Sequence, residues 1–400
     1  MYNVRNVTRD IVWIGASERR LALFENIFPI PRGVSYNSYV LLDEKTVLFD
    51  TVDASVAGQF FENLEYVLGE RVLDYLVVNH MEPDHCAMIG DIVRRYPEVQ
   101  IVGNAKTFGM MQQFFGTSFA ERAVTVKEGE TLNTGNHTLH FMMAPMVHWP
   151  ETMVSYDETD KVLFSADGFG TFGALNGNIF ADELEFDREW LADARRYYTN
   201  IVGKYGASVQ ALLKKAAGLE IAVICPLHGP VWREDLDYIL EKYQKWSTYE
   251  AEEQAVAILY ASMYGNTASA ADALAGALAE RGVRNIAVYD VSNMHVSELI
   301  SEIFRVSHLV FATPTYNGGI YPVMENLFAD MKALNVQKKT VALMENGTWA
   351  AATVKQMREK LAEMKDMTVL DAQVTVKSAM LSDQSAELLA LADAVAESLK

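Results

Sequence analysis

Six residues, His80 to His85, carry four side chains able to bind a metal: His80, Glu82, Asp84 and His85. Pro83 sits among them, removing one backbone donor and stiffening the loop, which helps hold clustered ligands in a fixed geometry. The same donor types recur later as His148, Asp167 and His228. A mixed set of imidazoles and carboxylates suits iron or manganese better than zinc, whose hydrolytic sites are rich in imidazole and keep an open water position. Glu82 and Asp84 also bring negative charge that would balance two cations.

Each donor follows a stretch that reads as a strand. Residues 73–78 are an apolar run before the loop, and residues 86–96 read as a helix after it, with Ala87, Ile89, Ile92 and Val93 as apolar positions. Strands predicted over 138–144, 161–166 and 221–225 precede His148, Asp167 and His228. Four strands thus deliver a ligand type at their C-terminal ends, where α/β folds keep their sites. Trp149 and Pro150 follow His148, and their bulk could shield a metal pocket.

A second chemistry lies in the last third of the chain. A predicted strand over 256–262 runs into Ser262, Met263, Tyr264, Gly265, Asn266 and Thr267, and a helix starts at once. Hydroxyls, a glycine and free amides at a helix N-terminus form an anion cradle. The stretch has no Lys or Arg, so hydrogen bonds and the helix dipole would hold the anion. It is not a Walker loop, which requires Gly-Lys-Ser/Thr. Two further strand ends carry polar and aromatic loops. The first is Pro314, Thr315, Tyr316, Asn317, Gly318 and Gly319; the second is Glu345, Asn346, Gly347, Thr348 and Trp349.

Gly168-Phe169-Gly170-Thr171-Phe172-Gly173 also fits Gly-x-Gly-x-x-Gly. A dinucleotide fingerprint must open a helix, whereas residues 174–178 continue as loop. These glycines are expected to let backbone pass close to the metal centre.

Four hundred residues, half of them apolar, provide for two or three domains. The net charge of −19 excludes nucleic acid as a natural partner. Two cysteines, Cys86 and Cys225, cannot build a rubredoxin-type iron site, an iron–sulfur cluster or a disulfide framework. With no apolar leader at the N-terminus and no stretch of about 18 apolar residues, a cytoplasmic protein without a membrane span is expected.

The pattern divides near residue 250. Before it, hairpin strands at 38–42 and 46–49, helices at 56–68 and 105–115, and strands at 99–102 and 124–126 predict mixed sheets flanked by helices. One helix is expected over 187–202, with others over 208–217 and 234–248. After the acidic segment 249–254, strands at 256–262, 285–291, 308–313, 340–344 and 368–376 alternate with helices, the last over 383–399. The expected fold class is α/β: an αβ/βα sandwich over 1–250, then a doubly wound parallel sheet over 251–400.

The metal set resembles that of the metallo-β-lactamase superfamily, with Glu82 where the loop signature His-x-His-x-Asp-His has its second histidine. That variant, followed by a half similar to flavodoxins, resembles the flavodiiron proteins, and the likeness covers nearly the whole chain. The resemblance implies FMN in the three late loops, with Tyr316 and Trp349 at its ring. It also implies two non-haem irons. His80, Glu82 and His148 would hold one, Asp84 and His228 the other, and Asp167 would bridge, with His85 near the metal but not ligating it. Dioxygen would be reduced to water, or nitric oxide to nitrous oxide, at an iron pair supplied through FMN. The chain ends at Lys400 with no rubredoxin or reductase extension. The donor is therefore expected to be separate: rubredoxin, a flavoprotein reductase or a reduced deazaflavin. The family also implies a head-to-tail homodimer, or a dimer of dimers. Two other readings are a zinc hydrolase fused to a flavodoxin module and an electron carrier with a degenerate metal domain. Glu82 argues against the first and the complete ligand set against the second.

Overall fold

The computed structural model describes residues 1–400, Asp383 by its backbone alone. The chain divides into two compact units. One is Met1–Tyr198 with Ala207–Tyr243; the other is Thr199–Gly206 with Gln244–Lys400.

The first unit is built on two sheets. In the first sheet, Arg5–Asn6, Ile11–Trp13, Tyr39–Leu42 and Thr46–Phe49 pair antiparallel, and Tyr75–Val77, Gln100–Gly103 and Ala123–Thr125 continue it in parallel. The second runs Thr131–Asn133, Thr138–Met143, Met153–Asp157, Val162–Phe164 and Val223–Cys225, antiparallel except for its last pair. Alternation along the strands explains the packing. Tyr39, Leu41, Val47 and Phe49 from one sheet share a core with Leu139, Phe141, Val162 and Phe164 from the other. The rings of Phe49 and Phe164 stack across it, centroids 3.7 Å apart. Val40, Leu48, Leu76 and Ile101 point the other way and are also fully buried, so helices must cover the outer face. Helix Ala57–Leu68 brings Phe60, Phe61 and Leu64 as buried residues for that role.

Three expectations need correction. Met153–Asp157 is a fully buried strand in the middle of the second sheet, where the sequence reading has none. The helix expected over 86–96 is two pieces, Pro83–Cys86 and Ile89–Arg95. The helix expected over 187–202 breaks at Trp190 and ends in a π-turn, Tyr198–Val202.

The second unit is a parallel sheet in the order Ile286–Asp290, Glu253–Tyr260, Val306–Tyr316, Thr340–Asn346, Thr368–Val376, the doubly wound 2-1-3-4-5 arrangement. Its three central strands are buried and apolar on both faces, as a covered parallel sheet requires. Ala257, Leu259, Leu309 and Phe311 pack with residues of helices Val296–Arg305 and Pro322–Ala333. Val256, Ile258, Val310 and Ala312 pack with residues of helices Asn266–Glu280 and Ser385–Ser398. Among the described residues, no helix is long and apolar enough to cross a membrane.

Candidate metal and flavin sites

In the first unit the loops at four strand ends meet. Tyr75–Val77 leads to His80 and Glu82, and the one-turn helix Pro83–Cys86 carries Asp84 and His85. Pro83 stands in its first turn, where a missing N–H costs nothing. His148 follows Thr138–Met143, Asp167 follows Val162–Phe164, and His228 follows Val223–Cys225. All seven donors converge, His80, His85 and Asp167 with no exposure at all.

They form two groups with Asp167 between them. Asp167 Oδ2 lies 3.1 Å from His80 Nε2 and 3.2 Å from His148 Nε2. Glu82 Oε2 completes that group, 2.9 Å from His148 Nε2 and 3.3 Å from His80 Nε2. Asp167 Oδ1 faces the other way, 3.3 Å from His85 Nε2 and 3.6 Å from His228 Nε2. Asp84 Oδ2 lies 3.4 Å from His85 Nε2 and 3.3 Å from His228 Nε2. Two donors bound about 2.1 Å from one ion lie about 3.0–3.4 Å apart for octahedral or tetrahedral angles, and most of these spacings fit donors that share an ion. Both carboxylate oxygens of Asp84 and of Asp167 are buried without a hydrogen-bond partner among the described residues. Four such orphans around one point fit a pair of cations.

The sequence reading sets His85 outside the ligands. In the structure its Nε2 stands 3.0 Å from His228 Nε2, inside the second group with Asp84 and His228.

Surrounding contacts fix which nitrogens face inward. His80 Nδ1–H donates to Glu151 Oε1 at 2.9 Å, and His228 Nδ1–H donates to the Ser35 carbonyl at 2.8 Å, leaving Nε2 of each as the acceptor. Asp50 accepts from the Asn79 and His80 amides at 2.7 and 3.1 Å and so anchors the start of the loop. Burial opposes charge on His80, but Asp167, Glu151 and Glu82 push its pKa well above the usual value. His148, also buried, goes up to about 9 beside Asp167 and Glu82. Burial acts to raise Asp167, yet His80 and His85 hold it well below the carboxylate range. The carboxylates therefore call for cationic partners, a role open to imidazolium or to a metal dication. Aromatic rings wall the pocket: Phe24, Tyr36 and Tyr197 stand 5.4, 5.6 and 5.4 Å from His228, and Trp149 stands edge-on 5.4 Å from His80. The buried Tyr197 hydroxyl has no hydrogen-bond partner among the described residues.

The Gly168–Gly173 stretch opens no helix and runs on to the short turn Ala181–Glu183. Gly173, at φ +114°, lies so close to Trp190 that a Cβ would sit 2.7 Å from the ring.

In the second unit, a cleft of about 360 Å³ lies at the C-terminal ends of the strands, within the range of about 300–1,000 Å³ typical of small-molecule sites. Ser262, Met263, Tyr264, Asn266, Thr267, Pro314, Thr315, Asn317, Gly318, Asn346, Gly347, Thr348 and Trp349 line it. Gly265 and Tyr316 do not; Tyr316 packs edge-on against Tyr321, 5.5 Å away. Gly265 adopts φ +93°, a turn that glycine makes freely, and the helix Asn266–Glu280 behind it has no side-chain cap. Its first amides are thus free for an anion. Asn346 ties two loops, donating to the Ser378 carbonyl at 3.0 Å and accepting from the Ser378 amide at 3.1 Å. Trp349 is 93% exposed at the rim, a large aromatic face with no protein cover.

Sequence reasoning missed Glu151, Asp50 and Tyr197 at the metal pocket, and Ala350 and Ser378 at the cleft. Ser378 lies two residues past the fifth strand, at the same C-terminal edge of the sheet as the other three loops.

Two family models match the chain: one described as ODP family beta lactamase over residues 34–229, and flavodoxin over residues 258–389. The anaerobic nitric oxide reductase flavorubredoxin of Escherichia coli O1:K1 / APEC is 30% identical over 89% of this chain and 75% of its own length. Among solved structures, the rubredoxin oxygen:oxidoreductase of Desulfovibrio gigas superposes with a TM-score of 0.91 at 28% identity, covering 99% of this chain and 98% of its own. The flavodiiron protein of Giardia intestinalis shares the fold, with a TM-score of 0.92 at 24% identity over 100% of this chain and 98% of its own. Fold, metal pocket, flavin-type cleft and relatives agree: this chain belongs to the flavodiiron proteins.

Proposed function

We propose that this protein is an oxidoreductase that reduces dioxygen to water, nitric oxide to nitrous oxide, or both, using two non-haem irons and FMN. The observation that carries the reading is Asp167, whose two oxygens face two separate donor groups. His80, Glu82 and His148 would hold one iron, Asp84 and His228 the other, and Asp167 would bridge, with His85 Nε2 also within reach of the second ion. When bound, the iron pair supplies the redox chemistry and two adjacent positive charges, and FMN supplies the electrons. The carboxylate donors favour hard, oxidised iron. Glu151 and the Ser35 carbonyl keep the lone pairs of His80 and His228 directed inward. Tyr197 offers a hydroxyl proton beside His228, and its pKa, raised by burial and by Asp167, keeps it a donor. Trp149 and Phe24 limit water at the pocket wall.

For the flavin, the free helix amides behind Ser262–Thr267 would take the phosphate, and Trp349, with the loops 314–318 and 346–349, would take the ring. We also infer a domain boundary at 250/251, a cytoplasmic location and a head-to-tail homodimer. A separate carrier such as rubredoxin would deliver electrons.

Protein purified anaerobically from iron-replete cells is expected to hold about two irons and one FMN per chain, and to consume both gases when given one reduced donor. Stoichiometric zinc without iron, or no turnover of either gas by the iron-loaded protein, would overturn the assignment.

A further inference from the structure

At the opposite end of strand Thr138–Met143 from His148 lies another group of donors. His137 occupies the turn before that strand, Asp160 the turn after Met153–Asp157, and Asp10 the loop before Ile11–Trp13. One ligand atom from each lies within 4.8 Å of the others. His137 is 2% exposed, while Asp10 and Asp160 are partly open to solvent.

The histidine is set up as ligands are. Its Nδ1–H donates to Asp157 Oδ2 at 3.0 Å, and Asp157 is fully buried, held in turn by the Asp160 amide at 2.9 Å. A carboxylate that takes the Nδ1 proton fixes the tautomer and leaves Nε2 as a lone pair. That Nε2 makes no hydrogen bond among the described residues; the nearest acid oxygen, Asp10 Oδ2, is 3.6 Å away. Asp160 Oδ2 accepts from the Thr8 hydroxyl, which brings it to the same place. The backbone is also fixed: Asp43 Oδ2 accepts from the His137 amide at 2.9 Å and from the Asn136 amide at 2.8 Å.

Charge points the same way. Asp10, Asp43, Asp157 and Asp160 surround a single imidazole; Arg9, 93% exposed, stands 3.9 Å from Asp10 Oδ1, and Arg71 donates to the Asp43 carbonyl at 2.6 Å. A protonated His137 still leaves acids in excess at this corner. A dication about 2.1 Å from three donors sets them about 3.0–3.4 Å apart at octahedral or tetrahedral angles; the present spread, within 4.8 Å, is closed by rotating the two partly exposed aspartates.

We propose that Asp10, His137 and Asp160 bind a third divalent ion of borderline type, such as zinc, apart from the iron pair. One imidazole and two carboxylates are a weak set for magnesium or calcium and a good one for zinc or manganese. The ion joins the first sheet, through Asp10, to two turns of the second, so its role is that of a clasp.

The test is equilibrium dialysis of the iron- and FMN-loaded protein against zinc chloride, with iron and zinc counted together. The wild type is expected to gain about one zinc per chain with its iron unchanged, and its thermal midpoint is expected to rise. His137→Gln and Asp160→Asn are each expected to lower zinc affinity at least about tenfold and to lose the thermal shift, with gas turnover unchanged. Asp160 lies in an exposed turn, so that variant folds even if the buried one does not. The proposal is overturned if the wild type gains no zinc, if zinc enters only as iron leaves, or if both variants bind zinc as the wild type does.

Discussion

Glu151 decides which nitrogen of His80 faces the iron site. It accepts the His80 Nδ1 proton and the Met81 amide at 2.8 Å, and it is 1% exposed. Nothing about it is legible in the sequence, where an acid just after Trp149-Pro150 reads as a solvated turn. Only the fold turns it inward. Glu151→Gln keeps the shape and removes the charge, so it is expected to weaken iron binding about 10–100-fold and to leave FMN bound. Iron and flavin counts on the same sample decide it, and unchanged iron retention under a chelator would refute the orienting role. His80, Glu82, Asp84, His148, Asp167 and His228 could be found because each stands a few residues past a strand. His85 could not be placed from spacing alone. On a one-turn helix its side chain direction depends on where that helix starts, and Pro83 starts it three residues earlier than the apolar pattern suggests.

The strand Met153–Asp157 shows why element patterns fail near sites. Its sequence, Met-Val-Ser-Tyr-Asp, has no unbroken apolar run, yet all five residues are buried. The polar ones are buried because they have partners: Ser155 donates to Asn79 Oδ1 at 2.7 Å, and Asp157 takes the His137 proton. In the second unit the pattern is clean, and Thr368–Val376 is found with its predicted bounds. One buried charge there is informative. Lys339, just before strand Thr340–Asn346, donates to the Phe304 and Val306 carbonyls at 3.0 and 2.7 Å at the end of helix Val296–Arg305. A cation suits a helix C-terminus, but burial depresses its pKa to about 7. In the unfolded chain it titrates near about 10.4. Between these values the unfolded state binds more protons, so stability rises with pH from about 7 and the penalty is full below that. Relative to Lys339→Met, the wild type should gain thermal stability between pH 7 and 9.5, by at least about 3 °C. Melting curves of the two proteins that move in parallel would show that Lys339 keeps its proton when buried.

For the whole molecule, the division into a mixed sandwich and a doubly wound sheet was legible because the alternation of strands and helices becomes regular after residue 250. The exact edge of each unit was not, since the second unit also recruits Thr199–Gly206 from the π-turn region. Tyr249, in the polar segment, is buried with Phe304 and Val306 in that unit's core and donates to the Gly203 carbonyl at 2.9 Å. The electron path is a question at this scale, because the iron ligands and the flavin loops belong to different units. The proposed head-to-tail dimer sets the flavin of one chain against the irons of its partner, and a closed two-fold pair makes that junction twice. Mixed dimers test it. One chain carries His80→Asn with Asp84→Asn and loses iron. The other carries Gly265→Trp, which puts a large side chain at φ +93° beside the cradle and excludes FMN. Each homodimer is expected to be inactive. In the mixed pair one chain keeps flavin and the other keeps iron, so only transfer between chains can drive turnover. Up to about half of wild-type activity is expected, since one of two equivalent junctions survives. With subunit exchange and cofactor loading verified, a mixed pair as silent as its parents would place the transfer within a single chain.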